Sequence, residues 1–269
     1  MKRNSIYIGV IAFFLLIAMI AGGICLRQYL DAKASVDTFS ELENLIEQPA
    51  DLVDLDETTS DKEVDPESTE ATAPELTEAQ MLHRKYLALY EENEDFVGWI
   101  SIGDTNVNYP VMQTIDSPDF YLKHGFDKTY SNYGVPYVDE ACAVGLSDNI
   151  VIYGHNMKNG SMFHDLLQYA DADFWANHQT IHFDTMSRTS EYQVILAFRF
   201  DTKHETFRYN EYTDMNEEEF AEFMDECRRR QLYDTGVPTA YGDELITLST
   251  CEYTYENGRF AVVAKRITD

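Results

Sequence analysis

A cysteine and an arginine stand on either side of a predicted turn near the end of the chain. Cys251 ends the strand-like run 244–250, and Arg259 opens a second apolar run, 260–264, directly after Asn257-Gly258. Two such runs joined by a short polar segment with Asn-Gly predict an antiparallel hairpin. Because paired strands lie about 5 Å apart, we expect the thiol to lie beside the guanidinium. This cation would favour the thiolate and offer donors to a developing oxyanion, so the pattern predicts nucleophilic catalysis.

The predicted hairpin also aligns the faces of its two strands. Side chains alternate along a strand, so Ser249 shares a face with Cys251, and Ala261 shares a face with Arg259. The competing interpretation of Cys251 is a small buried hydrophobic residue, as most lone cysteines are. The neighbouring arginine and a histidine elsewhere in the chain favour the nucleophile.

His155 is the best placed of the seven histidines to exchange protons with that thiol. It follows the apolar run 150–153 and Gly154, and it opens a loop that continues to Gly160. A histidine just past a strand end is held by a rigid element and still meets a substrate. Without Cys251 and Arg259, an ordinary surface histidine would be the better interpretation.

The segments around these three residues resemble the active-site motifs of the sortases, specifically class B. The resemblance is carried by TLSTC at 247–251, by Arg259 and by YGHNM at 153–157. Further segments fit the family pattern in order, at 96–100, 108–113, 121–122 and 160–163. It covers roughly residues 81 to 267, so the ordered His, Cys and Arg are supported by most of the chain outside the N-terminal segments.

The resemblance implies a fold and a reaction. The fold would be mainly β, a sortase-type closed β-barrel of about eight strands with an N-terminal helix and a helix inserted before the cysteine strand. Cys251 would attack a threonine carbonyl in a C-terminal sorting signal and form a thioacyl-enzyme intermediate. His155 would protonate the departing amine and then deprotonate the incoming one. Arg259, with the backbone N–H of Glu252, would hold the oxyanion.

The same resemblance implies partners and a substrate groove. Substrates would be surface proteins with an LPXTG-like or NPQTN-like signal, and the acceptor amine would come from lipid II or peptidoglycan. No aspartate lies near Cys251 in the sequence, so we assign no carboxylate role. By position in the family pattern, the groove residues are expected to be Tyr153, Leu122, Ser249, Glu252, Thr202 and Phe207.

Two alternatives stay open. A pilin-polymerising sortase would use the same chemistry with another acceptor. A non-enzymatic, membrane-anchored surface scaffold would carry the Cys/His pair incidentally and would show no thiol reactivity. Other cysteine enzymes do not fit, because papain-like proteases place the cysteine before the histidine and caspases need a Gln-Ala-Cys signature.

Residues 5–26 carry no charge over 22 positions, which suffices for one membrane-spanning helix. Lys2 and Arg3 precede this segment and acidic residues follow it. The asymmetry predicts a cytoplasmic tail at 1–4 and an extracellular catalytic domain, and the resemblance to sortases implies a Gram-positive cell. A cleaved signal peptide has a shorter apolar region and a small-residue cleavage site, so we expect an uncleaved anchor.

The next segment, residues 27–80, is predicted to be an acidic extracellular stalk. Residues 37–80 hold 15 Asp and Glu against one Lys, which supplies −14 of the net charge of −28. Such a composition favours an extended, solvated spacer. The acidity argues against nucleic-acid binding, because no basic stripe would neutralise phosphates.

Residues 81–269 form the predicted catalytic domain. A capping box at 77–80 opens a helix that runs to about residue 92, and a second helix is predicted at 216–230. Between and after them come many short β-like runs, which indicate one mixed domain dominated by β structure. These runs lie at 99–102, 106–110, 134–138, 150–153 and 192–200, before the final hairpin.

The chain has four cysteines, at positions 25, 142, 227 and 251. Their spacing is not typical of a zinc site or a disulfide framework, although a bridge between Cys142 and Cys227 stays open. The sequence carries no phosphate-binding glycine loop or metalloprotease motif. We therefore expect neither a metal nor a cofactor.

Overall fold

The computed structural model describes residues 2–47, 77–254 and 257–267, with the side chains of the first helix described from residue 13 to residue 46. The helices are α1 (Lys2–Glu47), α2 (Glu78–Glu92), α3 (Ala172–Asn177) and α4 (Glu217–Arg230). The strands are β1 (Phe96–Ser101), β2 (Asn108–Met112), β3 (Tyr137–Val138), β4 (Asn149–Gly154), β5 (Thr180–Thr185), β6 (Glu191–Asp201), β7 (Leu245–Glu252) and β8 (Gly258–Arg266). Three 3₁₀ helices lie at Phe120–Leu122, Phe163–Ala170 and Tyr209–Glu211.

The eight strands close into a barrel in the order β1-β2-β3-β4-β7-β8-β6-β5. Two neighbouring pairs are parallel, β2 with β3 and β4 with β7, and the other pairs are antiparallel. This architecture confirms the predicted mainly-β closed barrel. It also sets β7 between β4 and β8, which brings together strands that lie about a hundred residues apart in the sequence.

Strand β7, which carries Cys251, is buried along most of its length. Every residue from 245 to 250 is buried, so both faces of β7 are covered. The 3₁₀ helix Phe163–Ala170 contacts β7 and β8. Residues 247–250 (TLST) include three hydroxyl side chains, which are seldom buried on both faces of a sheet. Each of these hydroxyls therefore needs a hydrogen-bond partner inside the protein.

Both predicted helices of the catalytic domain are present with the expected caps. Thr77 and Gln80 form the capping box of α2, and Asn216 and Glu219 form that of α4. Helix α4 lies in the connection between β6 and β7, which confirms the helix inserted before the cysteine strand. Its buried side is the predicted one, formed by Phe220, Phe223, Met224 and Cys227.

Helix α1 differs from the expected organisation. It continues past residue 26 to Glu47, so the expected extended stalk is wrong for residues 27–47, and residues 48–76 lie outside the described part. Phe39 packs edge-on against Tyr109 with ring centroids 5.0 Å apart, and Leu42 is buried. The sequence analysis gave more weight to the acidic composition than to the apolar residues at 39, 42 and 46. These residues recur at helical spacing, and they pack against the barrel.

We predict that Leu42→Ala destabilises the folded catalytic domain. Leu42 is 3 % exposed in the cluster between α1, α2 and the barrel, so truncation leaves a cavity and should lower the free energy of unfolding by about 2 kcal/mol or more. The measurement is chemical denaturation of residues 27–269. Leu45→Ala is the matched control, because Leu45 lies on the same helix and is 46 % exposed. Equal stabilities of the two variants would contradict the docking of α1.

Candidate active site

The pairing of β7 with β8 places Cys251 directly opposite Arg259. The guanidinium Nη1 of Arg259 lies 3.5 Å from the Sγ of Cys251 and 3.3 Å from the backbone oxygen of Gly258. Both side chains are partly buried at the end of the hairpin. The predicted contact between thiol and guanidinium is therefore present.

The parallel pairing of β4 with β7 brings His155 to the same end of the barrel. Gly154 pairs with Thr250, whose Oγ1 donates a hydrogen bond to the Gly154 oxygen at 2.7 Å. The backbone oxygen of His155 accepts from the N–H of Phe163 at 2.8 Å. The loop after β4 is thus closed back on itself by backbone bonds, and His155 lies at the level of Cys251.

The imidazole of His155 is oriented by a backbone carbonyl. Its Nε2 lies 2.7 Å from the oxygen of Leu122. A carbonyl only accepts, so Nε2 carries the hydrogen and Nδ1 is the acceptor of the neutral ring. Among the described residues, the thiol of Cys251 and this imidazole are not hydrogen-bonded to each other, as is common for catalytic pairs before substrate binds. Leu122 O occupies the place that a carboxylate takes in a Ser-His-Asp triad.

The surroundings of His155 lower its pKa. Burial of the ring is the main cause, and the positive charges of Lys123 and Arg259 act in the same direction, while the hydrogen bond to Leu122 opposes them. Since the usual value for histidine is about 6.5, His155 is neutral in the free enzyme at neutral pH. At neutral pH, a negative charge formed nearby, such as a thiolate, would favour its protonation.

Three expected groove residues are held by specific polar contacts. The hydroxyl of Tyr153 donates to Asp139 Oδ2 at 2.6 Å. Ser249 is buried, and its Oγ lies 2.7 Å from the hydroxyl of Tyr209. The carboxylate of Glu252 lies 3.8 Å from the guanidinium Nε of Arg199.

Two further expected groove residues lie on the connection that follows β6, and the sixth, Leu122, is the residue whose carbonyl lies against His155. Thr202 is partly exposed, and its Oγ1 donates to the backbone oxygen of Asn257 at 2.8 Å. Phe207 is buried and packs against Phe200 and Phe223. Substrate contacts by all six residues stay predictions, and for the buried side chains of Ser249 and Phe207 the structure shows a packing role.

Two tyrosine–aspartate pairs beside the site escaped the sequence analysis. Tyr137 and Tyr153 are register partners on β3 and β4, with ring centroids 5.4 Å apart. Tyr137 donates to Asp119 Oδ1 at 2.5 Å, as Tyr153 does to Asp139. Burial, followed by the nearby carboxylate, raises the pKa of each phenol, so both keep their protons. The only sequence signal was a tyrosine in each of two short strands.

The remaining cysteines of the catalytic domain are poor nucleophiles. Cys142 and Cys227 are buried free thiols, so the described structure contains no bridge between them. Burial raises the pKa of Cys142 to about 12 and raises that of Cys227 as well. Within the described residues no three His, Cys, Asp or Glu side chains are grouped to hold a metal ion, and the metal-free mechanism stays a prediction.

Comparison with known proteins agrees with this geometry. The family model named "Sortase domain" matches residues 100–267. The chain is 35 % identical over 183 residues to Sortase B of Listeria monocytogenes, covering 67 % of this chain and 73 % of that one.

Solved structures match along most of the domain. The sortase B of Bacillus anthracis in complex with AAEK1 superposes with a TM-score of 0.69 at 26 % identity, covering 90 % of this chain and 100 % of that one. The sortase B–substrate complex of Staphylococcus aureus gives 0.62 at 32 % identity, covering 69 % and 86 %. The chain therefore belongs to the sortase family, class B. Members of this family are cysteine transpeptidases, and this chain is an enzyme of that type.

We predict that Gly154→Ala inactivates the enzyme through the position of His155. A Cβ at residue 154 would lie 2.6 Å from the ring of Phe163, which packs beneath the strand end. Relief requires a shift of the loop that carries His155, and a displacement of about 1 Å costs on the order of 10²-fold in rate. Turnover of a sorting-signal peptide is the measurement. Gly103→Ala serves as the control, because a Cβ there meets nothing within 4 Å; a fully active Gly154→Ala would rule out this constraint.

We predict that the pKa of His155 lies below about 6.5 and rises in Lys123→Gln, which removes one of the positive charges that lower it. The measurement is an NMR titration of the imidazole Cε1–H resonance, assigned with His155→Asn. Because the unfolded chain takes up this proton first, the contribution of His155 to the free energy of unfolding falls as the pH drops through this range. Lys158→Gln, at an exposed site of the same loop, should leave the midpoint unchanged. An ordinary or raised midpoint in the wild type would contradict the burial argument.

Proposed function

We propose that this protein is a membrane-anchored class B sortase that cleaves a C-terminal sorting signal after threonine and joins the released carbonyl to a cell-wall precursor amine. The single observation that supports it most is the 3.5 Å contact between Arg259 Nη1 and Cys251 Sγ at the end of the hairpin. A thiol beside a fixed cation, with a histidine on the adjacent strand end, is a site for acyl transfer.

In the first half-reaction, the thiol of Cys251 gives its proton to neutral His155, and the resulting thiolate attacks the threonine carbonyl carbon. A C–S bond forms, and the oxyanion is held by the guanidinium of Arg259 and the N–H of Glu252. Protonated His155 gives its proton to the departing amine as the C–N bond breaks, which leaves the thioacyl-enzyme. In the second half, neutral His155 takes a proton from the incoming amine, which attacks the thioester and releases Cys251.

The substrates of this proposal are surface proteins with an LPXTG-like or NPQTN-like signal. The S. aureus neighbour is a sortase B–substrate complex, which supports a sorting-signal substrate for this chain as well. The acceptor amine would belong to lipid II or to peptidoglycan. A pilin-polymerising sortase remains the second candidate, because a pilin amine could resolve the same thioester.

Helix α1 supports the membrane part of the proposal. By length and composition it is the described helix able to cross a membrane, and its apolar window is not buried in protein. We propose that residues 5–26 span the membrane with residues 1–4 in the cytoplasm and the barrel outside. The same helix docks on the barrel through residues 39–46, so the domain would sit close to the bilayer that holds a lipid-linked acceptor.

The decisive experiment incubates the detergent-solubilised full-length protein with a panel of sorting-signal peptides and amines. Mass spectrometry then identifies the cleaved bond, the product and the thioacyl-enzyme. Cleavage after threonine with amine capture is expected for the wild type, and Cys251→Ala should form neither intermediate nor product while keeping its fold. If Cys251→Ala still catalysed transpeptidation, the proposal would be wrong.

We predict that Arg259→Lys does not rescue the function of Arg259. The ammonium of lysine cannot reproduce the planar fork of donors, and loss of one oxyanion donor costs about 10²–10³ in turnover. We therefore expect Arg259→Lys and Arg259→Ala to lose activity by that order with nearly unchanged melting temperatures. If Arg259 served only in a surface ion pair, its loss would change stability by under about 1 kcal/mol and leave the rate intact. Steady-state kinetics distinguish the two.

A further inference from the structure

One buried amide connects the histidine loop to the peptide bond that follows the nucleophile. Asn156, next to His155, is 7 % exposed. Its Nδ2 donates to the backbone oxygen of Cys251 at 2.9 Å, and its Oδ1 lies 2.7 Å from Nδ1 of His164. Its backbone pairs with Met162 across the loop. Both polar atoms of this side chain thus have a named partner, one on β7 and one on the 3₁₀ helix Phe163–Ala170.

The direction of these hydrogen bonds follows from the partners. A carbonyl oxygen accepts only, so the atom of Asn156 that faces Cys251 must be the amide nitrogen. The amide oxygen then faces His164, whose Nδ1 must carry a hydrogen and donate it. The chain of donors runs from His164 to Asn156 and on to the oxygen of Cys251, and in such a chain each bond polarises the next.

The oxygen of Cys251 and the N–H of Glu252 belong to the same peptide unit. In a planar trans peptide these two groups point in opposite directions. Asn156 continues β4 on one side of β7, and Arg259 lies on β8 on the other side. A peptide oxygen held toward Asn156 therefore turns the N–H of Glu252 toward the side of Arg259.

We propose that Asn156 is a positioning residue for oxyanion stabilisation and that His164 fixes its amide. The hydrogen bond from Asn156 orients and polarises the 251–252 peptide, so that the N–H of Glu252 converges with the guanidinium of Arg259 on the developing oxyanion. This role rests on the proposed function of Cys251 and Arg259. It adds two residues that act without touching the substrate.

The first test compares Asn156→Ala and Asn156→Asp with the wild type in the full-length protein. Asp has the shape of Asn but lacks the N–H donor. Both variants should lose about tenfold or more in kcat, because one of two oxyanion donors is misaligned, with KM changed less than twofold. Alkylation of Cys251 by iodoacetamide, followed on its tryptic peptide, should stay within twofold, because displacement at a saturated carbon forms no oxyanion.

The second test rests on His164 and decides the matter if the Asn156 variants fold poorly. His164→Ala should reduce kcat severalfold, and His164→Asn should restore it, because the Asn amide nitrogen lies at the same bond distance from Cβ as Nδ1. Lys158→Ala, at an exposed position of the same loop, is the matched control. A purely structural role would make alkylation and turnover fall together and would give no rescue by Asn.

The outcomes separate this inference from the proposed function. If the wild type and Lys158→Ala make the transpeptidation product but the Asn156 and His164 variants match them, the positioning role is wrong and the proposed function stands. Parallel loss of alkylation and turnover also overturns the positioning role. If Cys251→Ala makes the product too, the proposed function fails, and with it the inference.

Discussion

The register of β7 between β4 and β8 is the constraint on which the site depends. A slip of one residue would turn Cys251 to the opposite face of the sheet and away from Arg259. Two buried polar contacts oppose such a slip, from Thr247 Oγ1 to Asn149 Oδ1 at 2.8 Å and between Ser249 and Tyr209 at 2.7 Å. Each hydroxyl would lose its partner in any other register, at a cost of about 1–3 kcal/mol per unsatisfied group. The polar residues of the TLSTC run therefore fix the alignment of Cys251 with Arg259, because their hydroxyls find partners inside the barrel.

The charged groups closest to His155 are positive, although the chain as a whole is strongly negative. The protein has a net charge of −28, yet the groups that act on His155 are the cations Lys123 and Arg259. The two nearby aspartates, Asp119 and Asp139, each accept a hydrogen bond from a tyrosine whose pKa is raised by burial and by that carboxylate. A carboxylate engaged in this way is held in a fixed place. The guanidinium of Arg259 directs a donor at the thiol of Cys251 and pairs with neither aspartate among the described contacts.

The parts of this site with a local pattern were predictable, and the parts made by long-range backbone contacts were not. An Asn-Gly turn between two apolar runs predicts the pairing of Cys251 with Arg259, and a glycine-flanked strand end marks His155. A backbone carbonyl has no sequence signature, so nothing pointed to Leu122 O as the partner of the imidazole. Asn156 and His164 are common polar residues whose contact exists only because the loop closes on itself. The end of α1 was also not predicted, because the acidic composition of this segment indicated an extended chain and the helical spacing of its three apolar residues was overlooked.

A short series of contacts connects the end of α1 that packs on the barrel with the loop that carries His155. Phe39 packs on Tyr109, and the hydroxyl of Tyr109 accepts the backbone N–H of Met162 at 2.9 Å. Met162 in turn pairs with Asn156, whose side-chain amide donates to the backbone oxygen of Cys251. At about 1.5 Å per helical residue, Phe39 would lie roughly 20 Å beyond the end of the proposed membrane segment. A continuous helix of that length limits how far the barrel can tilt, because residues 39–46, about two turns near its end, pack on the barrel. The element proposed to leave the membrane therefore also supports the loop that carries His155.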